Sequence, residues 1–303
     1  MKDWEELLIK IYYLVCDYYQ SELQYYSQRY SNNSQWQQLA FTDEEALTVY
    51  LFGILEDKGN IKQIYRYTNN HLLSWFPNLS TYQKFNERLN RLAPCLQRLV
   101  HILMEQLRLP DWLIGHQQRI DTVVDSMPII LAKGNRSDDA KVARQIANKG
   151  YCSSKDLYYH GIKLHSLGVC TPNKLPKPLQ FHISKASAND NTIFKQQIAP
   201  LYSNIRVYGD KIYHDQKAKD LLWKLFGIEV VACNKRKKGQ KHLTSAQKFY
   251  NTLVSRIRQP IESFFNWLDQ HSKIQDASKT RSTKGVLKHI FGRLAAALIL
   301  LIF

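Results

Sequence analysis

The apolar residues between Arg119 and Ala232 recur in short β-branched runs separated by loops, and that pattern constrains the fold more than any other feature of the chain. Ile120 to Val124 is the first run, bounded by Pro128. Tyr158 to Gly168 and Leu179 to Ser184 are predicted as the next two strands, joined by a proline-rich turn at Pro172, Pro176 and Pro178. A helix is expected from about Asn191 to Pro200. Ile205 to Tyr208 then reads as a strand, Asp215 to Phe226 as a helix closed by Gly227, and Ile228 to Ala232 as a strand. Early strands followed by helix and strand in alternation predict an α/β fold, a mixed sheet flanked by helices. Beyond it, Phe249, Leu253, Ile257, Ile261, Phe264 and Leu268 step by threes and fours and predict one long helical face.

The front of the chain obeys a different period. Residues 1 to about 110 read as helices almost throughout, which predicts an all-helical N-terminal domain over 1–112 and a second domain over 113–303. Thr42 and Glu45 form a capping box ahead of Leu47, Tyr50, Leu51 and Ile54, which recur at helical spacing. A second helix is expected over Ile61 to His71. Trp75-Phe76-Pro77-Asn78 breaks the pattern. Ser80 is then placed to cap a helix that buries Phe85, Leu89 and Leu92 and turns Lys84, Arg88 and Arg91 outward. Two short helices, a turn and a basic helix are arranged like a helix-turn-helix; the plainer alternative is a helical bundle with solvated charges.

Charge narrows the partners. With 42 Lys and Arg against 26 Asp and Glu the net charge is +16, a field that attracts polyanions, and nucleic acid is the natural one. A membrane partner is not expected: the start, MKDWEELLIKIYYLV, carries acids inside its apolar stripe, and the apolar run Leu294 to Phe303 is too short to span a bilayer and reads as a core helix. Five scattered cysteines, Cys16, Cys95, Cys152, Cys170 and Cys233, without metal-site spacing, suit a reducing cytoplasm.

Three acids stand where chemistry can use them: Asp125 at the end of the first strand, Asp210 after the fourth, and Glu262 on the long helix. Neighbouring strand ends can unite the first two, and a helix laid across the sheet can supply the third. Like charges gather only around a cation. Hard oxygen donors favour Mg²⁺ or Mn²⁺, and two such ions serve in-line displacement at phosphorus. Asp121 shares the strand face of Asp125 and is its rival as first ligand. The alternatives are a strand-end cap for Asp125, a turn role for Asp210, and an ion pair with Arg258 for Glu262. Lys235, Arg236, Lys237, Lys238 and Lys241 cluster around Gly239 in a loop before the Glu262 helix and are candidate phosphate contacts; Arg258, Arg136, Arg144, Lys163 and Lys211 are further ones. His165 and His214 read as structural.

Four motifs in order, Asp125-Ser126-Met127-Pro128, Tyr159-His160-Gly161-Ile162-Lys163-Leu164-His165, Tyr208-Gly209-Asp210-Lys211 with Tyr213, and Arg258-x-x-x-Glu262-x-x-Phe265, resemble the DDE-type transposases of bacterial insertion sequences. The resemblance covers residues 119 to 303. It implies an RNase H-like catalytic domain, metal-dependent cleavage at the ends of a mobile element, and joining of the freed 3′-hydroxyl to target DNA. It also implies double-stranded DNA as partner, action as a dimer or higher assembly, and a place at the bacterial nucleoid. A structure-specific nuclease on the same fold and a catalytically idle DNA-binding descendant are the rival expectations. Two positions depart from the family pattern: Ser255 stands where a Tyr is common, and Asp269 where a Lys is. Pro260, inside the last motif, is expected to kink or begin its helix.

Overall fold

The structure, a computed structural model, describes residues 3–27, 40–107, 119–171, 173–236 and 239–303. In chain order the main helices are α1 (Asp3–Ser21), α2 (Asp43–Leu55), α3 (Ile61–His71), α4 (Tyr82–Arg91), α5 (Ala93–Leu107), α6 (Gln216–Phe226), α7 (Ser245–Ser272) and α8 (Thr283–Ile302). The strands are β1 (Ile120–Lys133), β2 (Asn148–Cys152), β3 (Leu157–Val169), β4 (Lys177–Lys185), β5 (Ile205–Gly209) and β6 (Glu229–Ala232). Two compact units result, a helical unit of Met1–Gln106 with Leu268–Phe303 and a sheet unit of Leu107–Trp267. Residues 268–303 thus group with the front helices.

In the helical unit, the expected capping box closes on both sides: Thr42 Oγ1 accepts from the Glu45 amide at 3.2 Å, and Glu45 Oε2 from the Thr42 amide at 2.6 Å. Every residue of α2 from Ala46 to Ile54 is buried, so α2 is a central helix and not the one-faced helix its spacing predicts. α8 is apolar enough by length and composition to cross a membrane, being twenty residues and not ten, yet it is packed as a core helix with Leu294 to Ile299 buried. α4 differs from expectation in two ways. Thr81, not Ser80, is its N-cap. Arg88 is turned inward: it donates to the Phe41 and Thr42 carbonyls and lies 3.7 Å from Asp43, an acid only 3 % exposed at the start of α2 that a buried environment requires to be compensated.

The sheet unit is built on a six-stranded mixed sheet in the order β2-β3-β1-β5-β6, with β4 beside β3. β1 runs antiparallel to β3 and parallel to β5; β5 runs parallel to β6. β1 is longer than expected. It continues through Asp125 and Pro128 to Lys133, so Asp125 lies within the strand. The reason is visible in the pairing: β5 covers only Ile120 to Val123, beyond which that side of β1 has no ladder partner among the described residues, and a proline is tolerated where no N–H is needed. β2 is not expected from the sequence; NKGYC has too few apolar residues to read as a strand, and it is held by β3. Pro172 lies outside the described residues. Asp215 caps α6 through the Ala218 amide at 3.2 Å, and Gly227 closes it in the left-handed region at φ 64°. This arrangement is the RNase H-like fold.

α7 is one helix of 28 residues with Pro260 inside it, neither started nor broken there. Its predicted face splits. Ile261, Phe264 and Leu268 are buried, with Val254 and Phe265 beside them, whereas Phe249, Leu253 and Ile257 are exposed. The early residues step by fours and drift round the helix, leaving Val254 to face inward.

Candidate catalytic site

The parallel register of β1 and β5 fixes the first two acids. Val123 pairs with Tyr208, so Asp125 and Asp210 stand two residues beyond the last pair on adjacent strands, where parallel neighbours are separated by about 4.8 Å. Gly209 permits this turn: a Cβ there would lie 2.6 Å from the Tyr213 ring. Tyr213 packs edge-on against Phe194 at 5.7 Å, and its buried hydroxyl has no hydrogen-bond partner among the described residues. Burial first, then Asp125, Asp190 and Asp210, push that hydroxyl well above the usual tyrosine range.

α7 contributes the third acid through a shared guanidinium. Arg258 Nη1 donates to Asp125 Oδ2 at 2.8 Å, and Nη2 donates to Glu262 Oε1. The Arg258 side chain is 15 % exposed; burial opposes its charge, but Asp125, Glu262 and Asp210 raise its pKa overall. Asp125 is pushed up to about 6. Burial is the largest cause, Arg258 and the Ser126 amide (2.9 Å) oppose it, and Asp190 and Asp210 add to it. The expected pairing of Glu262 with Arg258 is therefore present, but the same arginine also holds Asp125.

A fourth acid, Asp190, escapes sequence reasoning. It accepts from Lys163 Nζ at 2.8 Å and from Ser126 Oγ at 3.1 Å, next to Asp125. No motif marks it; the only signal is its place behind Asn189, which caps the short helix Asp190–Ile193. Asp121 is engaged elsewhere. Arg206 Nη1 lies 3.3 Å from it and also reaches Glu229, which Arg119 contacts in turn.

The cationic candidates separate into two groups. Lys163 and Arg258 are turned into the acid cluster, Lys163 bonded to Asp190 and Arg258 to Asp125 and Glu262. Lys235, Arg236, Lys241, Lys211, Arg136 and Arg144 are exposed; Lys237 and Lys238 lie outside the described residues. The loop carrying Lys235 is tied to α7, because Asn251 Oδ1 accepts from the Asn234 amide at 2.7 Å and Asn251 Nδ2 donates to the Asn234 carbonyl at 3.2 Å. His165 is structural as expected, bonded to Ser184 Oγ at 2.7 Å and lowered to about 4 by burial. His214 has no partner on Nδ1 among the described residues and is also lowered by burial. Ser255 lies 3.7 Å from Cys233 Sγ, and Asp269 accepts the Gln275 amide at 2.9 Å, so both departures from the family pattern have local uses.

The donor set suits a hard divalent ion: carboxylate oxygens, with Asp125 raised first by burial and then by its acidic neighbours, and a Tyr213 hydroxyl that has no hydrogen-bond partner among the described residues. Among the described residues no three His, Cys, Asp or Glu side chains are arranged to share one ion, and the Arg258 guanidinium bonds both Asp125 and Glu262. Were a divalent ion held here, Asp125 and Glu262 would be its carboxylate donors, and it would supply the positive charge that Arg258 supplies to them in this structure.

An RNase H-like sheet with Asp125 on β1, Asp210 in the turn after β5, and Glu262 on α7 tied to Asp125 through Arg258 points to a class of phosphoryl-transfer domain. Residues 117–300 match the family model described as the transposase DDE domain, more than half of the chain, and the protein belongs to that family. Membership implies phosphoryl transfer on DNA, DNA binding and the use of divalent metal ions. A search of curated proteins finds no match.

Proposed function

We propose that the protein is a transposase that cuts DNA at the ends of its mobile element and joins them to target DNA, with Asp125, Asp210 and Glu262 holding a pair of Mg²⁺ or Mn²⁺ ions. The observation that supports this most is the single Arg258 guanidinium shared by Asp125 and Glu262, with Asp210 just past the end of β5, the strand parallel to β1. When bound, the ions polarise the attacking oxygen and stabilise the leaving one. The chain's own residues orient the reaction. Asp190, held by Lys163 and Ser126, stands beside Asp125 and steadies β1 at that point. Released from the carboxylates, Arg258 is free to hold two oxygens of the scissile phosphate in its planar fork. Lys211 and the Lys235 loop, both exposed, bind neighbouring phosphates and set register without reading sequence. Water attacks first and leaves a 3′-hydroxyl; that hydroxyl then attacks a target phosphodiester, so one bond breaks for each that forms and no protein nucleophile is consumed. The helical unit contributes DNA binding, and two chains or more bring both ends together.

The test is cleavage and strand transfer on DNA bearing the element's ends, by the wild type and by Asp125→Asn, Asp210→Asn, Glu262→Gln and Asp121→Asn. The three proposed ligands are each expected to lose activity on the order of 10³-fold, while Asp121→Asn stays within a few-fold. Full activity in any of the first three refutes the assignment. Cleavage without joining of a pre-cut end identifies a nuclease instead.

A further inference from the structure

The helical unit encloses a cavity of about 500 Å³ that the transposition chemistry does not use. Its wall carries Lys62, Lys279, Arg281, Lys288 and Arg293, against Asp276 as the single acid among the described lining residues. Two of these cations are buried. Lys288 is 4 % exposed, and its Nζ donates to Asn86 Oδ1 at 3.1 Å and Asn90 Oδ1 at 2.7 Å, both neutral. An ammonium has three donors, so these two oxygens do not exhaust it. Arg293 is 3 % exposed and donates to the Ser272 and Gly59 carbonyls and to His289 Nδ1. His289, whose Nε2 is bonded to the Ile274 carbonyl, is thereby fixed as the neutral tautomer that accepts from Arg293.

Buried charge bonded only to neutral groups is costly, and sites of this kind are stabilised by a ligand of opposite sign. The surroundings favour an anion further. α8 begins at the cavity, with Gly285 lining it and Ser282 capping the Gly285 amide at 3.1 Å, so the positive end of a twenty-residue helix adds to the field. The volume exceeds that of a lone inorganic anion and lies in the range of small-molecule pockets. Tyr82, half-exposed on the wall and edge-on to Tyr65 at 5.6 Å, offers an aromatic face beside the cations. We propose that this cavity is a nucleotide site, in which Lys288, Lys279 and Arg281 hold a phosphate and Tyr82 stacks on the base. The phosphate belongs either to a free nucleotide or to one unit of a DNA strand. The proposal is independent of the acid cluster.

The test is lysine acetylation of the full chain, read by peptide mass mapping at Lys62 and Lys279, with and without inorganic phosphate, deoxyadenosine monophosphate or a short single-stranded oligodeoxynucleotide. Protection of both lysines by the mononucleotide identifies a free ligand; protection by the oligonucleotide alone identifies a strand unit; either is the expected result. Lys279→Ala, an exposed change that leaves the core intact, weakens the same ligand roughly tenfold by loss of one charge-assisted contact. Lys288→Met abolishes protection. Unaltered labelling with all three probes, or equal protection in Lys288→Met, overturns the proposal.

Discussion

Replacing Lys288 by methionine removes a buried ammonium while keeping the shape of the side chain, and the structure gives the size of the effect. Burial lowers Lys288 to about 8 from 10.5. The folded state therefore disfavours the charged form, and by linkage stability is fully present above 10.5 and is lost as pH falls through 8. Below pH 8 the folded protein carries the whole penalty, about 3 kcal/mol. Asn86 and Asn90, only partly buried, turn their freed oxygens to water in the variant. The variant is thus more stable than the wild type at pH 7, and the gain shrinks by about 2 kcal/mol between pH 7 and pH 9.5 as the wild-type lysine discharges. Urea unfolding of both proteins across that range, followed by tryptophan fluorescence, measures it. A variant less stable at every pH, or a gain that ignores pH, refutes the reasoning. The same substitution is the one that removes ligand binding, so the site exchanges stability for recognition.

Two further outcomes follow from packing. His289 is lowered to about 3 by burial, with Arg293 opposing its protonation; stability present above pH 6.5 is lost as pH falls toward 3, by about 2 kcal/mol at pH 5, and the pH dependence of urea midpoints in His289→Gln is shallower by that amount. Equal slopes in variant and wild type would show that the ring is already free to protonate. Gly161 pairs with Ile130 across the β1–β3 ladder, and a Cβ there would sit 2.1 Å from the Ile129 carbonyl oxygen. Gly161→Ala forces the two strands apart and is expected to cost more than about 3 kcal/mol by urea unfolding; a loss under about 1 kcal/mol contradicts the observed pairing.

The strands and caps whose signals are local are legible in the sequence. The Thr42 capping box, the Asp215 cap and the Gly227 stop each depend on residues within one turn, and β3, β5 and β6 each declare themselves by apolar runs. What escapes depends on partners distant along the chain. Pro128 makes Asp125 look like a strand end; only the short reach of β5 explains why β1 continues. Helical spacing turns Arg88 outward, but the buried Asp43, on another helix, draws it in. Phe249, Leu253 and Ile257 fit the helical period and are still exposed, because period says which residues share a face and not which face meets a core. For the candidate site, the motifs name Asp125, Asp210 and Glu262, while the place of Asp190 and the bridging role of Arg258 emerge only from the folded chain.

The helical unit is assembled from two stretches of the chain, with the whole sheet unit inserted between them. α8 supplies Leu294 to Ile299 to its core, and Tyr50 on α2 bonds the Lys288 carbonyl at 3.3 Å. During synthesis the front helices emerge long before that partner, so their apolar surface stays uncovered while residues 107–267 are made. The sheet unit is contiguous and can fold first. Maturation of the helices, and of the cavity they enclose, then waits on α8, and a nascent chain cut short after the catalytic sheet would carry the acids without the finished helical body.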